Sequence, residues 1–452
     1  MRPGRMLLVS VAVTTLASAP TALGAFESPQ RASVGPLPAR SPDVAVNDRG
    51  DAAAVWVRGA RREAMIVVSM RPAGGQWSRP EGISRRGRPA IDPQVAVDAQ
   101  GQVIVTWRQV DRVRRVRTPD GLRRQAVYVA RARTRAAADS RWSPITTLSS
   151  TRQKVGPPRL GVDDAGAAVV AWHWGTGTSP RVPGFVGEVQ VTTRGTDGTW
   201  AAPRRVSRST LCSEVRLPRV AVGGRGHAVV WWQCDLPGGR ATALAISRGA
   251  GEEFGAEAEL PFRSLVDVSA NLVVSDAGRA TAVSADAEGS LRWWRGDVTT
   301  RLALQSLPSL GPAERAELEA GAPRIAVGAS GDALTAWSDR AGRPRAAAIA
   351  SELGVGAPAT LGPASDATSG IRVGMAETAR RGAVAWVSSG RVMGASRGAD
   401  GAIGPTEVLS GRGVPQTGPP ALAVDAAGNT IVLWTRVLGR RTVVERAEGA
   451  AS

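Results

Sequence analysis

The most regular unit of the chain is Pro93-Gln-Val-Ala-Val-Asp-Ala-Gln-Gly-Gln-Val-Ile-Val-Thr-Trp107, and variants of it recur along the 452 residues. Each copy has an alternating apolar segment, a tight turn that is Asp-x-x-Gly in its most regular form, and an apolar segment that ends in Trp in every copy but the fifth, which has Ser284. We count eight copies, whose turn glycines are 46 to 65 residues apart. These are Gly50, Gly101, Gly166, Gly226, Gly278, Gly331, Gly382 and Gly428. A repeat of this length over a whole chain predicts a solenoid, a propeller or a related array.

Each copy predicts four antiparallel β-strands. The first two strands flank the Asp-x-x-Gly turn, and a third follows, as in Gln125–Arg131 of the second copy. The fourth begins with an aromatic or aliphatic residue and has a proline soon after it, as in Trp77-Ser-Arg-Pro80. Four short antiparallel strands repeated in this way are typical of β-propeller blades. We expect the recurring Trp to pack between blades rather than to stack on a ligand.

The two ends of the chain indicate the number of blades. The eighth copy ends after its third strand, near Thr442–Arg446, and lacks a fourth. A matching element occurs near the N-terminus as Phe26-Glu-Ser-Pro29, so an N-terminal strand can complete the last blade and remove the open sheet edges. We therefore predict an all-β fold, a single β-propeller of eight four-stranded blades, with residues 25–33 completing blade eight. Seven blades, with the degenerate fifth copy absorbed elsewhere, is the alternative.

The start of the chain has the pattern of an export signal. Positive charge precedes the apolar segment Met6–Ala19, which is too short to span a bilayer, and small residues at Ala22 and Gly24 favour cleavage after Gly24. We therefore predict a signal peptide at 1–24, a propeller domain at 25–452 and a secreted, extracellular protein. No later segment is long and apolar enough to predict a membrane span in the mature chain. Retention of the uncleaved signal as an anchor is the alternative.

Cys212 and Cys234 are the only cysteines, and an extracellular compartment permits a disulfide between them. The short turn Gly223–Gly226 lies between them, so the two residues fall nearly opposite each other if the flanking segments form a hairpin. We predict a disulfide between adjacent strands, with free thiols as the alternative. The chain has only two His, and no sequence motif indicates a metal centre or a cofactor.

The net charge of +18 comes almost entirely from arginine, because Lys154 is the only lysine. Together with heavy use of Ala and Gly, this skew is typical of GC-rich coding as much as of a polyanion partner. For an exported protein we do not expect nucleic acid as a partner. Positive charge is most concentrated in segment 108–124, which carries seven arginines against two aspartates. Such a run favours a solvated loop, and binding of an anionic ligand is the alternative.

One face of the predicted propeller is the candidate binding surface. The connections between second and third strands and those between blades share this face, and nearly all length variation in the chain falls in them. Binding residues concentrate on variable loops held by a rigid scaffold. Simple accumulation of tolerated insertions is the alternative explanation.

The residues that open the innermost strands would surround the mouth of the central channel on this face. We take seven of them as candidate ligand-binding residues: Asp43, Gln94, Arg159, Arg219, Asn271, Arg324 and Arg372. The eighth position is Ala421. Four of the seven are arginine, whose guanidinium groups can clamp a carboxylate, sulfate or phosphate. Chance is the alternative explanation, because arginine is common throughout the chain.

The repeated pattern over residues 25–447 resembles that of secreted bacterial propellers of the sialidase-like, BNR-repeat type. The resemblance implies a β-propeller and, in the sialidases of that type, a Tyr nucleophile with an acid, an aspartate and three arginines. The chain lacks their Ser-x-Asp-x-Gly-x-x-Trp motif, since Trp107 lies six residues after Gly101. Its only tyrosine, Tyr128, falls in the middle of a predicted strand. The resemblance therefore concerns architecture rather than motif.

Three functions remain open. We favour a monomeric, non-enzymatic binding or scaffold propeller that recognises a glycan, cell-wall polymer or protein through its loop-rich, arginine-bearing face. The second is a sialidase-like or other glycoside-active enzyme, which requires two carboxyl groups roughly 5–10 Å apart. These acids would come from Asp43, Asp92, Asp235, Asp267 or Asp339. The third is a surface protein that binds anions mainly through arginine charge, and in no case does the sequence identify a catalytic residue.

Overall fold

The structure is a computed structural model that describes residues 26–118, 121–139, 141–150, 154–175, 187–208, 212–264, 269–286, 288–299, 301–308, 316, 322–350, 354–365, 368–376, 378, 380–411 and 418–450. The expected signal peptide and Asp267 lie outside these residues. The described part consists of β-strands and one 3-10 turn, Arg61–Glu63. It contains no helix that is long and apolar enough to cross a membrane.

The strands form eight antiparallel sheets, which correspond to the eight copies of the repeat. The chain enters through β1 (Gln30–Arg31). Blade one comprises β2 (Ala39–Val46), β3 (Ala52–Arg58), β4 (Met65–Arg71) and β5 (Glu81–Gly82). Blade two comprises β6 (Ala90–Val97), β7 (Val103–Thr118), β8 (Gly121–Arg135) and β9 (Thr146–Thr147). Blade three comprises β10 (Lys154–Val155), β11 (Arg159–Val162), β12 (Ala168–Gly175), β13 (Glu188–Arg194) and β14 (Arg204–Arg205). Blade four comprises β15 (Glu214–Val222), β16 (Ala228–Asp235), β17 (Ala241–Arg248) and β18 (Ala258–Ser264).

The second half of the chain repeats this arrangement. Blade five comprises β19 (Ser269–Val274), β20 (Arg279–Ala285), β21 (Leu291–Asp297) and β22 (Gln305–Leu307). Blade six comprises β23 (Arg324–Val327), β24 (Ala333–Ser338), β25 (Pro344–Ala350), β26 (Gly354–Val355) and β27 (Ala359–Thr360). Blade seven comprises β28 (Ser369–Met375), β29 (Gly382–Ser388), β30 (Arg391–Arg397) and β31 (Glu407–Val408). Blade eight comprises β32 (Ala421–Val424), β33 (Thr430–Leu438) and β34 (Arg441–Gly449), with β1 as its outermost strand.

The innermost strands of consecutive blades contact one another and close a ring. The contacts run from β2 through β6, β11, β15, β19, β23, β28 and β32, and β32 contacts β2 again. The predicted eight-bladed β-propeller is therefore confirmed, and the fifth copy forms a blade of its own.

The N-terminal segment closes the ring as predicted. Gln30 and Arg31 in β1 pair with Arg446 and Glu445 in β34. Before them, Phe26 forms a bridge with Gly449, so the segment follows the outer edge of blade eight. The third strand of that blade has a hydrogen-bonding partner on both sides and leaves no long unpaired edge.

Tryptophan at the recurring position packs between neighbouring blades. The fully buried set comprises Trp56, Trp107, Trp172, Trp232, Trp337, Trp386 and Trp434. In blade five, where Ser284 takes this position, β21 supplies two other tryptophans. Trp293 lies edge-on to Trp337 of blade six with ring centroids 6.1 Å apart, and Trp294 Nε1 donates to Ser284 Oγ at 3.0 Å. The degenerate copy thus keeps a large aromatic contact with the next blade.

The predicted disulfide between Cys212 and Cys234 is present, with a Cα–Cα distance of 5.2 Å. Cys234 lies near the end of β16, and Cys212 precedes β15. Both are buried in the apolar cluster between blades three and four. The disulfide therefore anchors the segment that leads into the innermost strand of blade four.

The interpretation of segment 108–124 as a solvated loop is wrong. β7 and β8 continue through it as a two-stranded ribbon, paired from Arg112–Val127 to Thr118–Gly121 with a bulge after Val110. Valines spaced along β7 supply β-branched residues for pairing. The Pro-Asp-Gly composition at 119–121 is a turn signal that could have predicted a hairpin.

Candidate functional site

The seven candidate residues occupy equivalent positions in the propeller. Each pairs with the residue that precedes the repeat Trp, or Ser284 in blade five; for example, Gln94 pairs with Thr106 and Arg324 with Ala336. Residues at one register position on the innermost strands of a closed ring surround its axis at one level. The structure therefore brings the predicted residues together around the channel.

A recurring bulge sets the direction of four of these side chains. The register of the innermost strand shifts just before Asp43, Gln94, Arg219 and Arg372. Two residues before each of them the backbone has positive φ, for example 52° at Ser41 and 54° at Leu217. In these blades the strand begins earlier than predicted, and the bulge redirects the following side chain.

A proline precedes the mouth residue in most blades. The six prolines are Pro42, Pro93, Pro158, Pro218, Pro323 and Pro420. Proline has no N–H to donate to a ladder and is found at strand starts and bulges. The Pro therefore marks the point at which the inner strand leaves regular pairing and its next side chain enters the channel mouth.

The mouth opens into a cavity of about 630 Å³ in the centre of the ring. Six of the seven predicted residues line it: Gln94, Arg159, Arg219, Asn271, Arg324 and Arg372. Beyond them the wall is apolar and includes Val220, Val222 and Val273. The cavity thus has a cationic rim and an aliphatic interior.

The guanidinium groups at the rim interact electrostatically with one another. Burial, followed by repulsion from Arg372, Arg219 and Arg159, lowers the pKa of Arg324 to about 9. Burial and then repulsion from Arg159 and Arg372 lower the pKa of Arg219 to about 10. Both groups remain cationic at pH 7, so the channel holds several like charges in surroundings that solvate them poorly.

Three of these arginines have no hydrogen-bond or ion-pair partner among the described residues, although Asp43 and Asp92 act electrostatically on Arg159. The guanidinium groups concerned are those of Arg159, Arg219 and Arg324. Arg372 donates through Nη1 to the carbonyl of Ile371 at 2.9 Å. The rim therefore presents guanidinium donors whose hydrogen-bonding capacity is directed to the channel rather than to the protein.

Asp43 and Gln94 also join blades. Asp43 accepts the backbone N–H of Val95 in the next blade at 3.0 Å, and Gln94 accepts that of Leu160 at 2.8 Å. Burial raises the pKa of Asp43 to about 6, although the N–H groups of Val95 and Val44 and the nearby arginines favour its charged form. Asp43 is thus the acidic member of an otherwise cationic and neutral rim.

The other candidate acids are engaged elsewhere. Asp92 forms an ion pair with Arg108, and Asp235 forms one with Arg216 at 2.7 Å. Asp339 accepts the N–H groups of its own turn, including that of Ala341 at 2.9 Å. Within the described part of the chain, no group of three or more His, Cys, Asp or Glu is arranged to hold a metal ion.

Tyr128 lies away from the channel. It is in β8, the third strand of blade two, and the guanidinium of Arg108 stacks over its ring at 5.1 Å from the centroid. The single tyrosine therefore packs with an arginine in the outer half of its blade rather than with the rim residues.

A second set of arginines, missed by the sequence analysis, lies on the opposite face. Each pairs with the first residue of the second strand in its blade: Arg71, Arg135, Arg194, Arg248 and Arg397. Arg194 Nη1 donates to the carbonyl of Gly166 in the Asp-x-x-Gly turn at 2.7 Å. Their common repeat position was the available signal, and part of the arginine excess thus has a structural role.

Comparison with protein-family models and with curated proteins found no match. A lectin from Burkholderia pseudomallei is similar in structure, with 15% identity, a TM-score of 0.51, and coverage of 82% of this chain and 99% of the lectin. A protein of unknown function from Dyadobacter fermentans has 10% identity, a TM-score of 0.45 and coverage of 95% and 98%. A sialidase from Streptococcus pneumoniae has 10% identity, a TM-score of 0.41 and coverage of 92% and 94%. At these identities the similarity shows the propeller fold alone.

Proposed function

We propose that the protein is an extracellular, non-enzymatic binding propeller that takes an anionic group of a glycan or cell-wall polymer at its channel mouth. The observation that carries this proposal is the convergence of four arginines on one cavity, three of them without a hydrogen-bond or ion-pair partner in the described structure. The disulfide and the predicted export signal support an extracellular location.

An anion would offset the repulsion within the rim. Four guanidinium groups and one carboxylate give the rim a positive charge, and burial together with mutual repulsion lowers the pKa of Arg219 and Arg324. A carboxylate or sulfate would supply the missing counterion and accept charge-assisted hydrogen bonds, each contributing about 1.5–3 kcal/mol.

The cavity favours a terminal group or a single sugar residue over a polymer segment. Its volume of about 630 Å³ lies in the range typical of small-molecule sites. The aliphatic wall beyond the rim can contact the C–H faces of a sugar ring while the acidic group binds the arginines. A carbohydrate ligand is also in keeping with the lectin that shares this fold.

Binding is favoured over glycoside hydrolysis by the state of the candidate acids. Hydrolysis in its usual form requires two carboxyl groups on either side of the scissile bond. Of the four candidates that the structure describes, Asp92, Asp235 and Asp339 are held by ion pairs or by a turn, which leaves Asp43 at the rim.

The proposal is tested on an array of acidic and neutral glycans and cell-wall polymers, followed by calorimetric titration with galacturonate and its neutral counterpart galactose. Wild-type protein should bind acidic ligands, and replacing Arg159, Arg219, Arg324 and Arg372 by Gln should weaken binding by at least roughly 100-fold. A control replaces four exposed arginines outside the channel by Gln: Arg61, Arg240, Arg292 and Arg440. Undiminished binding by the channel variant would contradict the proposed site, and release of sugar from a bound glycan would favour the enzymatic alternative.

A further inference from the structure

The ribbon formed by β7 and β8 extends well beyond its blade. The last residue pair between β6 and β7 is Ala90 with Gln109, whereas β7 and β8 stay paired as far as Thr118 and Gly121. At about 3.4 Å per residue, the segment past Gln109 is roughly 25–30 Å long. It projects from the face on which the innermost strands begin, which is also the face of the channel mouth.

The projecting strands are strongly cationic, and the only acids near them in sequence are Asp111, just before them, and Asp120, between the two strands. The strands themselves, 112–118 and 121–127, contain six arginines and no Asp or Glu. Four of these arginines are exposed and have no hydrogen-bond or ion-pair partner among the described residues: Arg112, Arg115, Arg117 and Arg124. Arg114 differs, because its guanidinium donates to Gln125 at 3.0 Å.

One face of the ribbon combines cationic and apolar groups. Side chains alternate along a strand, and directly paired residues share a face. Arg115 pairs with Arg124, and Arg117 pairs with Leu122, so these four share a face with Val113. Val113 is 49% exposed and Leu122 69%, so packing within the ribbon leaves much of both aliphatic side chains accessible to a partner.

This face destabilises the isolated ribbon. Like charges directly opposite each other, as in the Arg115–Arg124 pair, are unfavourable. Two-stranded ribbons are marginally stable in water, and this one has no third strand along its projecting part in the described structure. A partner that supplies negative charge and covers the two aliphatic side chains would relieve both conditions.

We propose that the projecting ribbon is a second binding element, which takes a linear acidic polysaccharide along the face formed by Val113, Arg115, Arg117, Leu122 and Arg124. Uronate or sulfate groups accept hydrogen bonds from the guanidinium forks. The apolar faces of the sugar rings contact Val113 and Leu122. The projecting strands 112–118 and 121–127 contain no aromatic residue to stack on bases and no Trp to insert into a lipid interface, which disfavours nucleic acid and membrane as partners.

The ribbon is independent of the channel site. A polymer whose terminal residue occupies the channel and whose chain follows the ribbon would bind with the avidity of two linked contacts. The two sites can nevertheless be tested separately, because each has a test ligand that should bind without the other site.

The test uses dextran sulfate, with uncharged dextran as the matched polymer. Replacing Arg115, Arg117 and Arg124 by Gln should weaken dextran sulfate binding by roughly tenfold and make its salt dependence shallower. The same charge change at Arg61, Arg240 and Arg292 is the control and should have little effect. Equal loss in the two variants, or no loss in the ribbon variant, would overturn the proposal.

Arg115→Glu separates binding from folding. The new carboxylate stands opposite Arg124, so thermal stability should rise slightly while dextran sulfate affinity falls. Unchanged affinity in this variant would contradict the proposal. Tighter binding of duplex DNA or anionic phosphatidylserine vesicles than of dextran sulfate at equal ionic strength would replace the polysaccharide with that partner. Galacturonate binding should be unaffected by the ribbon substitutions, so the channel proposal and the ribbon proposal can fail separately.

Discussion

At the level of single residues, the partners of each arginine distinguish its role. Arg194 on the turn face donates to the carbonyl of Gly166, and burial lowers its pKa while Asp98 and Asp197 favour its charge. Arg219 and Arg324 at the channel rim are surrounded instead by other arginines. Arginine therefore stabilises a turn through a hydrogen bond on one face, whereas at the channel rim it is available to bind an anion.

Asp43 gives the channel site a predicted pH dependence. Its carboxyl pKa is raised to about 6 from an ordinary value of 3.8, so it loses its proton as the pH rises through about 6. The ionised group attracts the rim arginines and repels an anionic ligand. We expect galacturonate affinity to be roughly three- to tenfold higher at pH 5 than at pH 7.5. Asp43→Asn should bind with the higher affinity at both values, as measured by calorimetry.

Folding stability provides a second measurement of the same group. Because the pKa is higher in the folded state, the stability that the neutral carboxyl contributes is lost as the pH rises from about 4 to about 6. Asp43→Asn should flatten this part of the stability curve, and Asp139→Asn, at an exposed position, should not. A stability curve for Asp43→Asn that still falls between pH 4 and 6 would contradict the assignment.

Much of the rim could be predicted from the sequence, because a repeat places equivalent residues at equivalent points of a ring. Arg159 and Arg324, for instance, were identifiable from their distance to the turn glycine and Trp. The hydrogen bonds that the N–H groups of Val95 and Leu160 donate to Asp43 and Gln94 could not be predicted. They depend on which backbone N–H of the neighbouring blade faces each side chain, and that is decided by packing between blades.

At the level of single elements, the innermost strands of several blades contain a bulge that shifts their pairing with the second strand. In blade two, Asp92 has a φ of 53° and is followed by Pro93, so pairing with β7 shifts before Gln94. A non-glycine residue at positive φ costs roughly 1–2 kcal/mol. The repetition of this arrangement in blades one, two and four indicates that exposing the next side chain to the channel outweighs the local strain.

The ribbon shows why charge is a poor guide to local structure. Seven arginines between 108 and 124 favoured a loop, yet the backbone pairs through nearly the whole segment. The features compatible with a hairpin are the β-branched Val113 and Val116, one on each face of the strand, and the turn composition at 119–121. Arginine has a long aliphatic stem and is compatible with a strand whose faces are open to solvent.

The disulfide is predicted to stabilise blade four. Cys212 and Cys234 are 22 residues apart, and a crosslink of that span contributes about 3 kcal/mol. Replacing both by Ser should lower the free energy of unfolding by that amount, which is measured as a lower denaturation midpoint in guanidinium chloride. Dithiothreitol should lower the midpoint of the wild type to the same degree and leave the variant unchanged. Sensitivity of the variant to the reductant would show that the effect is not due to this bond.

Galacturonate binding should survive loss of the disulfide better than it survives loss of the arginines. The bond holds the entry to β15, and Arg219 lies further along that strand behind a bulge of its own. We expect a two- to threefold weakening at most, which is roughly 0.5 kcal/mol. A loss as large as that of the four-arginine variant would mean that the entry segment itself contacts the ligand.

At the level of the whole molecule, closure makes the site possible. Each rim arginine comes from a different blade, so the cavity exists only when all eight blades form one ring. This architecture was predictable from the eight repeats and from the fourth strand of the eighth copy, which is found near the N-terminus instead of at the end of the repeat. The exact partner of the N-terminal segment was harder to predict, since β1 pairs through Gln30 and Arg31 while Phe26 packs towards blades seven and eight.

Deletion of residues 26–33 should therefore weaken the propeller as a whole. The deletion removes the hydrogen bonds of Glu27 to Glu448 and of Ala32 to Val444 together with the β1 pairing. At about 0.5–1.5 kcal/mol for each net hydrogen bond, unfolding free energy should fall by roughly 3–5 kcal/mol. β34 would then become an exposed edge strand and promote self-association.

Equilibrium denaturation and light scattering measure the two consequences. A chain that lacks only residues 1–24 is the reference, and Phe26→Ala, which leaves the strand in place, should be less affected than the deletion. Because the rim arginines come from separate blades, galacturonate affinity should fall with the loss of closure even though none of the deleted residues lines the cavity. A deletion variant that stays monomeric, equally stable and fully able to bind would show that the ring holds together without its N-terminal strand.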